Sequence, residues 1–342
     1  MHRRNILRLG TIFSFTALSV MTAAGKLLAD QPPAAPSTAP SYAELPEGIA
    51  SFGAAQEGDW LYVYGGHTGR THTYSKQQAL SRFQRISLKN GGNWEVLPSG
   101  PGLQGLVLLA HKGSIYRIGG MTARNEPGEK QDLYSLADFA KFDPQTKAWT
   151  ELPPLPEGRS SHGASIVGDK LYVVGGWRLN GSEEPQWQST MLVFDLAAEK
   201  PEWQTLPTPP FQRRALMSTA LNGKIYVTGG LTPEGAISRD VDVFDTQTQT
   251  WSKGPAIPGM PMNGNGLASY STEKALYISG MDGKVYRLNK AQDGWDAVGR
   301  LEQPRIHHRL ASLQHGVLLA IAGATMQDNL KTITPVKFDT KH

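Results

Sequence analysis

Two short segments of this 342-residue chain carry the same chemistry at the same spacing: Arg159-Ser-Ser-His162 and Arg305-Ile-His-His308. Arginine presents a planar fork of donors that grips a carboxylate or phosphate through paired hydrogen bonds. Histidine takes or gives a proton near neutral pH. Arg213 and Arg214 lie between the two segments, and Asn265 follows them. Upstream, the stretch Gly66-His67-Thr-Gly-Arg70-Thr-His72-Thr-Tyr74 adds two imidazoles, a guanidinium and a phenol. Trp177 offers an aromatic face suited to a sugar ring or a cation. The candidate ligand-binding set is therefore Arg159, His162, Arg213, Arg214, Asn265, Arg305, His308, His67, Arg70 and Trp177. Within it, His162 or His308 is the candidate acid–base group, with Arg159 or Arg305 as the clamp. For each Arg at these positions the competing reading is structural, a guanidinium holding loop carbonyls.

Composition removes other chemistries. The chain has no cysteine, which excludes disulfides, thiol nucleophiles, cysteine-ligated zinc and Fe–S clusters. A histidine-only metal site would have to draw on His67, His72, His162 and His308. The first two sit on a loop and the others lie far away in sequence, so no metal is expected. No cofactor is expected either. Gly100-Pro-Gly-Leu-Gln-Gly105 has the glycine spacing of a dinucleotide fingerprint, but it precedes a strand and no helix N-terminus follows to hold a pyrophosphate. The formal charge of +4 is not a nucleic-acid signature. Residues 1–29 contribute Arg3, Arg4, Arg8 and Lys26 with no acid, and the rest of the chain balances.

Those first 29 residues read as a secretory signal: a basic start, a short apolar run, then small residues. Arg3-Arg4-Asn-Ile-Leu-Arg8 is also compatible with twin-arginine export, and the ordinary secretion route remains the alternative. Residues 30–40 form a Pro/Ala-rich linker. The expected location is periplasmic or secreted, with no membrane insertion after cleavage.

The elements that must position the candidate residues follow from a repeat. Leu61-Tyr-Val-Tyr-Gly-Gly66 recurs as Ile115-Tyr-Arg-Ile-Gly-Gly120, Leu171-Tyr-Val-Val-Gly-Gly176 and Ile225-Tyr-Val-Thr-Gly-Gly230. Two degenerate copies end at Gly280 and Gly323. A downstream tryptophan follows five of the copies: Trp94, Trp149, Trp203, Trp251 and Trp295. Each unit holds four short strands, a to d, separated by turn residues. One such unit cannot bury its own core, whereas six arranged radially can.

The di-glycine ending strand b, the tyrosine before it and the later tryptophan resemble the kelch repeat, and the resemblance covers nearly all of residues 41–342. It implies an all-β, six-bladed kelch β-propeller. The chain ends in strand c of the sixth blade, Pro335 to Asp339, with no strand d after it. Ser41-Tyr-Ala-Glu-Leu-Pro46 parallels Trp149-Thr-Glu-Leu-Pro153, so this N-terminal segment is expected to pair onto the C-terminal blade, Tyr42 standing in the tryptophan slot. In kelch propellers ligands usually meet the face carrying the d–a and b–c loops, where all the candidates fall.

Fold alone does not give function. The leading expectation is an exported binding module for a carbohydrate, an anionic small molecule or a protein partner. The alternative is an enzyme: in fold, export and blade count the chain is similar to the periplasmic kelch mutarotases that interconvert sialic acid anomers. A copper-radical oxidase of the galactose-oxidase type is excluded, because it needs a cysteine cross-linked to tyrosine.

Overall fold

A computed structural model describes residues 40–338 except Thr71 and 314–316. The signal segment, most of the linker and Asp339 to His342 lie outside the described residues.

Residue patterning builds the blades directly. Strand b of each blade is apolar on both faces because it lies between two neighbouring sheets, and Leu61, Ile115, Leu171, Ile225 and Leu276 are all buried. The first four blades are four-stranded antiparallel sheets. Blade one comprises Gly53–Glu57, Trp60–Tyr64, Phe83–Ser87 and Gly91–Leu97. Blade two comprises Val107–His111, Ser114–Ile118, Phe139–Asp143 and Ala148–Glu151. Blade three comprises Gly163–Val167, Lys170–Val174, Met191–Asp195 and Trp203–Leu206. Blade four comprises Met217–Leu221, Lys224–Thr228, Val241–Asp245 and Thr250–Lys253. Blade five runs from Ala268–Ser271 through Leu276–Ser279 and Lys284–Leu288 to Trp295–Arg300. Blade six has three strands, Arg309–Ser312, Leu318–Ile321 and Ile333–Pro335.

The marker tryptophans lock neighbours together. Each indole N–H donates to a carbonyl of the preceding blade: Trp149 to Pro98 (2.8 Å), Trp203 to Pro153 (3.0 Å), Trp251 to Pro207 (3.2 Å) and Trp295 to Pro255 (2.9 Å). Trp94 of blade one finds its acceptor on the N-terminal segment, the Ala43 carbonyl at 3.0 Å. The buried side chains of that segment, Leu45 and Ile49, join one core cluster with Leu61 and Val63 of blade one and Leu319 and Ile321 of blade six. The ring is closed there.

The closure differs in register from the sequence expectation. The segment meets the C-terminal blade through three backbone bonds, Leu45 N–H to Lys331 O (2.9 Å), Ile49 N–H to Leu330 O (3.1 Å) and Gly323 N–H to Ile49 O (2.9 Å). Its β-bridge, however, pairs Tyr42 with Gly92 of blade one, and the Tyr42 hydroxyl donates to Leu88 O. Tyr42 therefore does not fill a tryptophan slot on blade six. The chain end departs too. Strand c of blade six is Ile333–Pro335, not Pro335 to Asp339. Beyond buried Val336, Lys337–Phe338 pairs with the outer strand of blade five. Gly299 permits that crossing, since a Cβ there would lie 2.7 Å from the Lys337 carbonyl.

Candidate functional site

Strand a of every blade lines the central channel, and each is entered through the same four-residue step. Its first position holds Ile49, Leu103, Arg159, Arg213, Gly264 and Arg305 in turn. Carbonyls at five of these six receive the N–H of a strand-b glycine from a neighbouring blade, for example Gly120 to Arg159 and Gly176 to Arg213 (both 2.8 Å). The third position is left-handed in all six blades: Ser51, Gly105, Ser161, Ala215, Gly266 and His307 have φ between 51° and 61°. Their amides run round the channel from blade to blade, with Gly105 N–H on Ser51 O (2.7 Å), Ser161 on Gly105 (2.8 Å), Ala215 on Ser161 (2.8 Å) and His307 on Gly266 (2.5 Å).

All six residues at position three and five of the six at position two line the channel, position four reaches it through Leu106, His162, Leu216 and Leu267, and position one lies behind the wall in every blade. Arg-x-x-His is read accordingly. Arg159, 1 % exposed, donates to Gln188 Oε1 (2.8 Å) and Thr190 Oγ1 (2.6 Å). Arg305, also 1 % exposed, donates to the Gln303 and Ala322 carbonyls. Arg213 forms a buried ion pair with Asp242 and donates to the Gly229 and Asp240 carbonyls. Burial holds all three guanidiniums below their ordinary pKa, Arg159 and Arg305 at about 10. All three tie the entry of strand a to other segments of their own blade, and none lines the channel.

The fourth position holds Phe52, Leu106, Leu216 and Leu267 in four blades, so His162 and His308 occupy an otherwise apolar column. His308 is fully buried and its Nε2 faces Ser279 Oγ at 2.7 Å. His162 touches the channel edge but is only 4 % exposed, and neither ring nitrogen has a partner. Burial, reinforced by Arg159, pushes the His162 imidazole down to about 3. Of the two imidazoles, His162 reaches the channel lining and His308 does not.

Five residues of the candidate set do line the channel, a cavity of about 680 Å³: His67, His162, Trp177, Arg214 and Asn265. Arg70 is exposed on its loop, outside the lining. Four more residues complete the mouth: His307 and Arg309, which sequence reasoning did not single out, and Tyr74 and His72 of the blade-one loop, which fall outside the ligand set. The Arg214 guanidinium lies 4.0 Å from the Trp177 ring centre. His307 rests against Gly266, where a Cβ would come within 2.5 Å of its Cε1. Burial, then the charges of Arg309 and Arg214, push His307 down to about 4, so its imidazole is neutral at physiological pH. Burial alone holds Arg309 at about 10.

The b–c loop of blade one reaches over this mouth. His67 Nε2–H donates to Thr73 O (2.7 Å), and Asn125 of blade two and Asn329 of blade six hold the loop through the Tyr74 and His67 carbonyls (2.7 and 3.0 Å). Tyr74 of blade one feels the charge of Arg214 on blade four across the ring, and burial raises its phenol pKa.

Two features define the chemistry. No Asp, Glu or Lys lines the channel among the described residues, while two guanidiniums do. Five residues of the lining carry buried polar atoms without a partner: Gln104 Nε2, His162 Nδ1 and Nε2, Trp177 Nε1, Arg214 Nε and Asn265 Oδ1. Among the described residues no three His, Asp or Glu come together as a metal-holding group.

Fold and channel define a six-bladed β-propeller with a cationic central cavity. Residues 105–323 match the family profile described as the KLHDC2/KLHL20/DRC7 Kelch-repeats domain, and the chain belongs to the kelch-repeat family. It is 24% identical over 228 residues to Kelch-like protein 35 of Mus musculus, covering 67% of this chain and 32% of that one. It is 27% identical over 305 residues to Kelch-like protein terF of Aspergillus terreus, covering 82% and 63%. With beta-scruin of Limulus polyphemus the identity is 26% over 249 residues, covering 67% and 26%. The chain thus spans between about a quarter and two thirds of these relatives' lengths. A solved structure titled "Structure of YjhT" shares the fold, with a TM-score of 0.70 and 16% identity over 88% of this chain and 98% of that chain.

Proposed function

We propose that this kelch propeller is a binding module for an anionic, hydroxyl-rich small molecule held in the mouth of its central channel. One observation carries the reading: three buried N–H donors without partners belong to Gln104, Trp177 and Arg214, residues of a cavity that no carboxylate lines among the described residues. A buried donor left unmade costs about 1–3 kcal/mol, so a ligand that supplies acceptors recovers that energy. An anion also meets the guanidiniums of Arg214, held by its stack on Trp177, and Arg309. The basic and apolar N-terminus supports export of the module to the periplasm or beyond the cell.

A second reading, sugar mutarotation, is favoured by one observation. His307 faces the channel with a neutral imidazole, which serves as a base for the anomeric hydroxyl proton, with the Tyr74 hydroxyl on another wall as the donor to the ring oxygen.

Saturation-transfer NMR on the full chain tests both readings with a panel of neutral sugars, uronic acids and sialic acid. Transfer to the acids and not to the neutral sugars is expected for the module. Faster anomer exchange, abolished in His307→Ala, establishes the enzyme. No transfer to any acid contradicts both.

A further inference from the structure

The mouth holds two guanidiniums from different blades, and their number bears on what the ligand must carry. Arg214 enters from blade four and Arg309 from blade six, on either side of blade five, with His307 feeling the charge of both. Neither has a carboxylate partner among the described residues. Arg309 donates one bond, to the His308 carbonyl at 3.0 Å, and Arg214 is stacked on Trp177 with its Nε unpartnered. The contrast lies within the same ring. Arg117 is buried against Asp138 at 2.7 Å, and Arg213 against Asp242. Arg159 and Arg305 lack carboxylates too, but they lie behind the channel wall and spend their donors on carbonyl, amide and hydroxyl oxygens.

Resting on the anion-binding reading above, we infer that the ligand carries two negative charges on a polyhydroxylated frame, as in a sugar dicarboxylate or a sugar phosphate. A single carboxylate satisfies one guanidinium and leaves the other uncompensated in a partly buried, low-dielectric site, where an unpaired charge is costly. Two charges satisfy both. Deeper in the channel, Ser165 pairs with Ser218 and Thr219 with Ser269. These hydroxyl pairs offer donors and acceptors to a polyol and none of the carboxylates that would repel a second anion.

The test is titration calorimetry of the full chain with four probes that share a six-carbon frame: glucarate, glucose 6-phosphate, gluconate and glucose. Glucarate, glucose 6-phosphate or both are expected to bind at least tenfold more tightly than gluconate, and which of them does so separates the dicarboxylate from the phosphate. The preference is expected to disappear in Arg214→Gln and in Arg309→Gln, two independent variants whose folding is checked by their circular dichroism. Equal affinity for gluconate and both dianions overturns the two-charge inference and leaves the anion site standing. Binding of no anion overturns both.

Discussion

The guanidinium of Arg214 lies 4.0 Å from the centre of the Trp177 ring, stacked against its face rather than paired with an acid. The ring fixes the orientation of the cation and screens one side of it from water, so its charge is presented to the channel. Cation–π contacts of this kind contribute about 0.5–2 kcal/mol. Trp177→Leu is therefore expected to weaken anion binding by about 2- to 30-fold, by freeing Arg214, whereas Arg214→Gln removes the charge and costs at least as much. A titration that finds Trp177→Leu more damaging than Arg214→Gln would assign the leading contact to the indole instead.

Gly266 and Gly105 share the left-handed third position of the channel step, yet they are expected to respond differently to alanine. Ser161 and Ala215 adopt the same φ with side chains, so the backbone itself tolerates a Cβ. At Gly105 the added carbon would meet Ser161 Oγ at 3.1 Å. At Gly266 it would lie 2.5 and 2.6 Å from Cε1 and Nδ1 of His307. Gly266→Ala is expected to displace the imidazole and weaken anion binding severalfold, with Gly105→Ala close to wild type. Paired titrations of the two variants check this.

Stability should fall in acid because buried imidazoles must gain a proton. His162 and His307 sit at about 3 and about 4 in the folded chain against an ordinary value of 6.5, and His308 is also pushed down. Between pH 6.5 and 4 the unfolded chain binds more protons than the folded one, so folding free energy is lost as the pH drops. The urea midpoint is expected to be flat above pH 7 and to decline below 6.5. His162→Leu, which matches Leu106 and Leu216 at the same repeat position, should make that decline shallower. An unchanged slope in the variant would show that His162 is not held neutral.

Ring closure rests on the N-terminal segment. Leu45 is 2 % exposed within a cluster contributed by blades one and six. Leu45→Ala should cost about 2–5 kcal/mol, the usual range for a buried leucine. Trp94→Phe, which loses the indole bond to Ala43, should cost about 1 kcal/mol from that bond alone. Denaturant midpoints measure both, and a Leu45→Ala cost below about 0.5 kcal/mol would mean the ring closes without this segment.

The propeller was legible because its signals are local and repeated. Gly119-Gly120, Tyr116 and Trp149 each do the same job in blade two that their counterparts do elsewhere, so the repeat survives the loss of single members in blades five and six. The channel was half legible. Aligning the blades brings Arg159 and His162 to the correct place in the chain, but which residues face inward depends on the left-handed turn at Ser161, and simple strand alternation does not reveal it. A signal was present: Phe52, Leu106, Leu216 and Leu267 mark position four as apolar core, which assigns His162 and His308 to that column. Position three is small or glycine in every blade except at His307, and that exception faces the ligand site. Arg309 had no such marker, since the first residue of its strand a carries no recurring type. The closing segment was found by its likeness to a strand d, but its register was set by blade one, whose Gly92 accepts the Ala43 N–H (3.0 Å).

The central claim is that the channel mouth holds an anion through Arg214 and Arg309. The most direct test is calorimetric titration of glucuronate and glucose into the wild-type chain and into Arg309→Gln. Binding of glucuronate with little or no binding of glucose, and a loss of at least tenfold in Arg309→Gln, is the predicted result. Equal binding of the two sugars, or an affinity for glucuronate unchanged by Arg309→Gln, would contradict it.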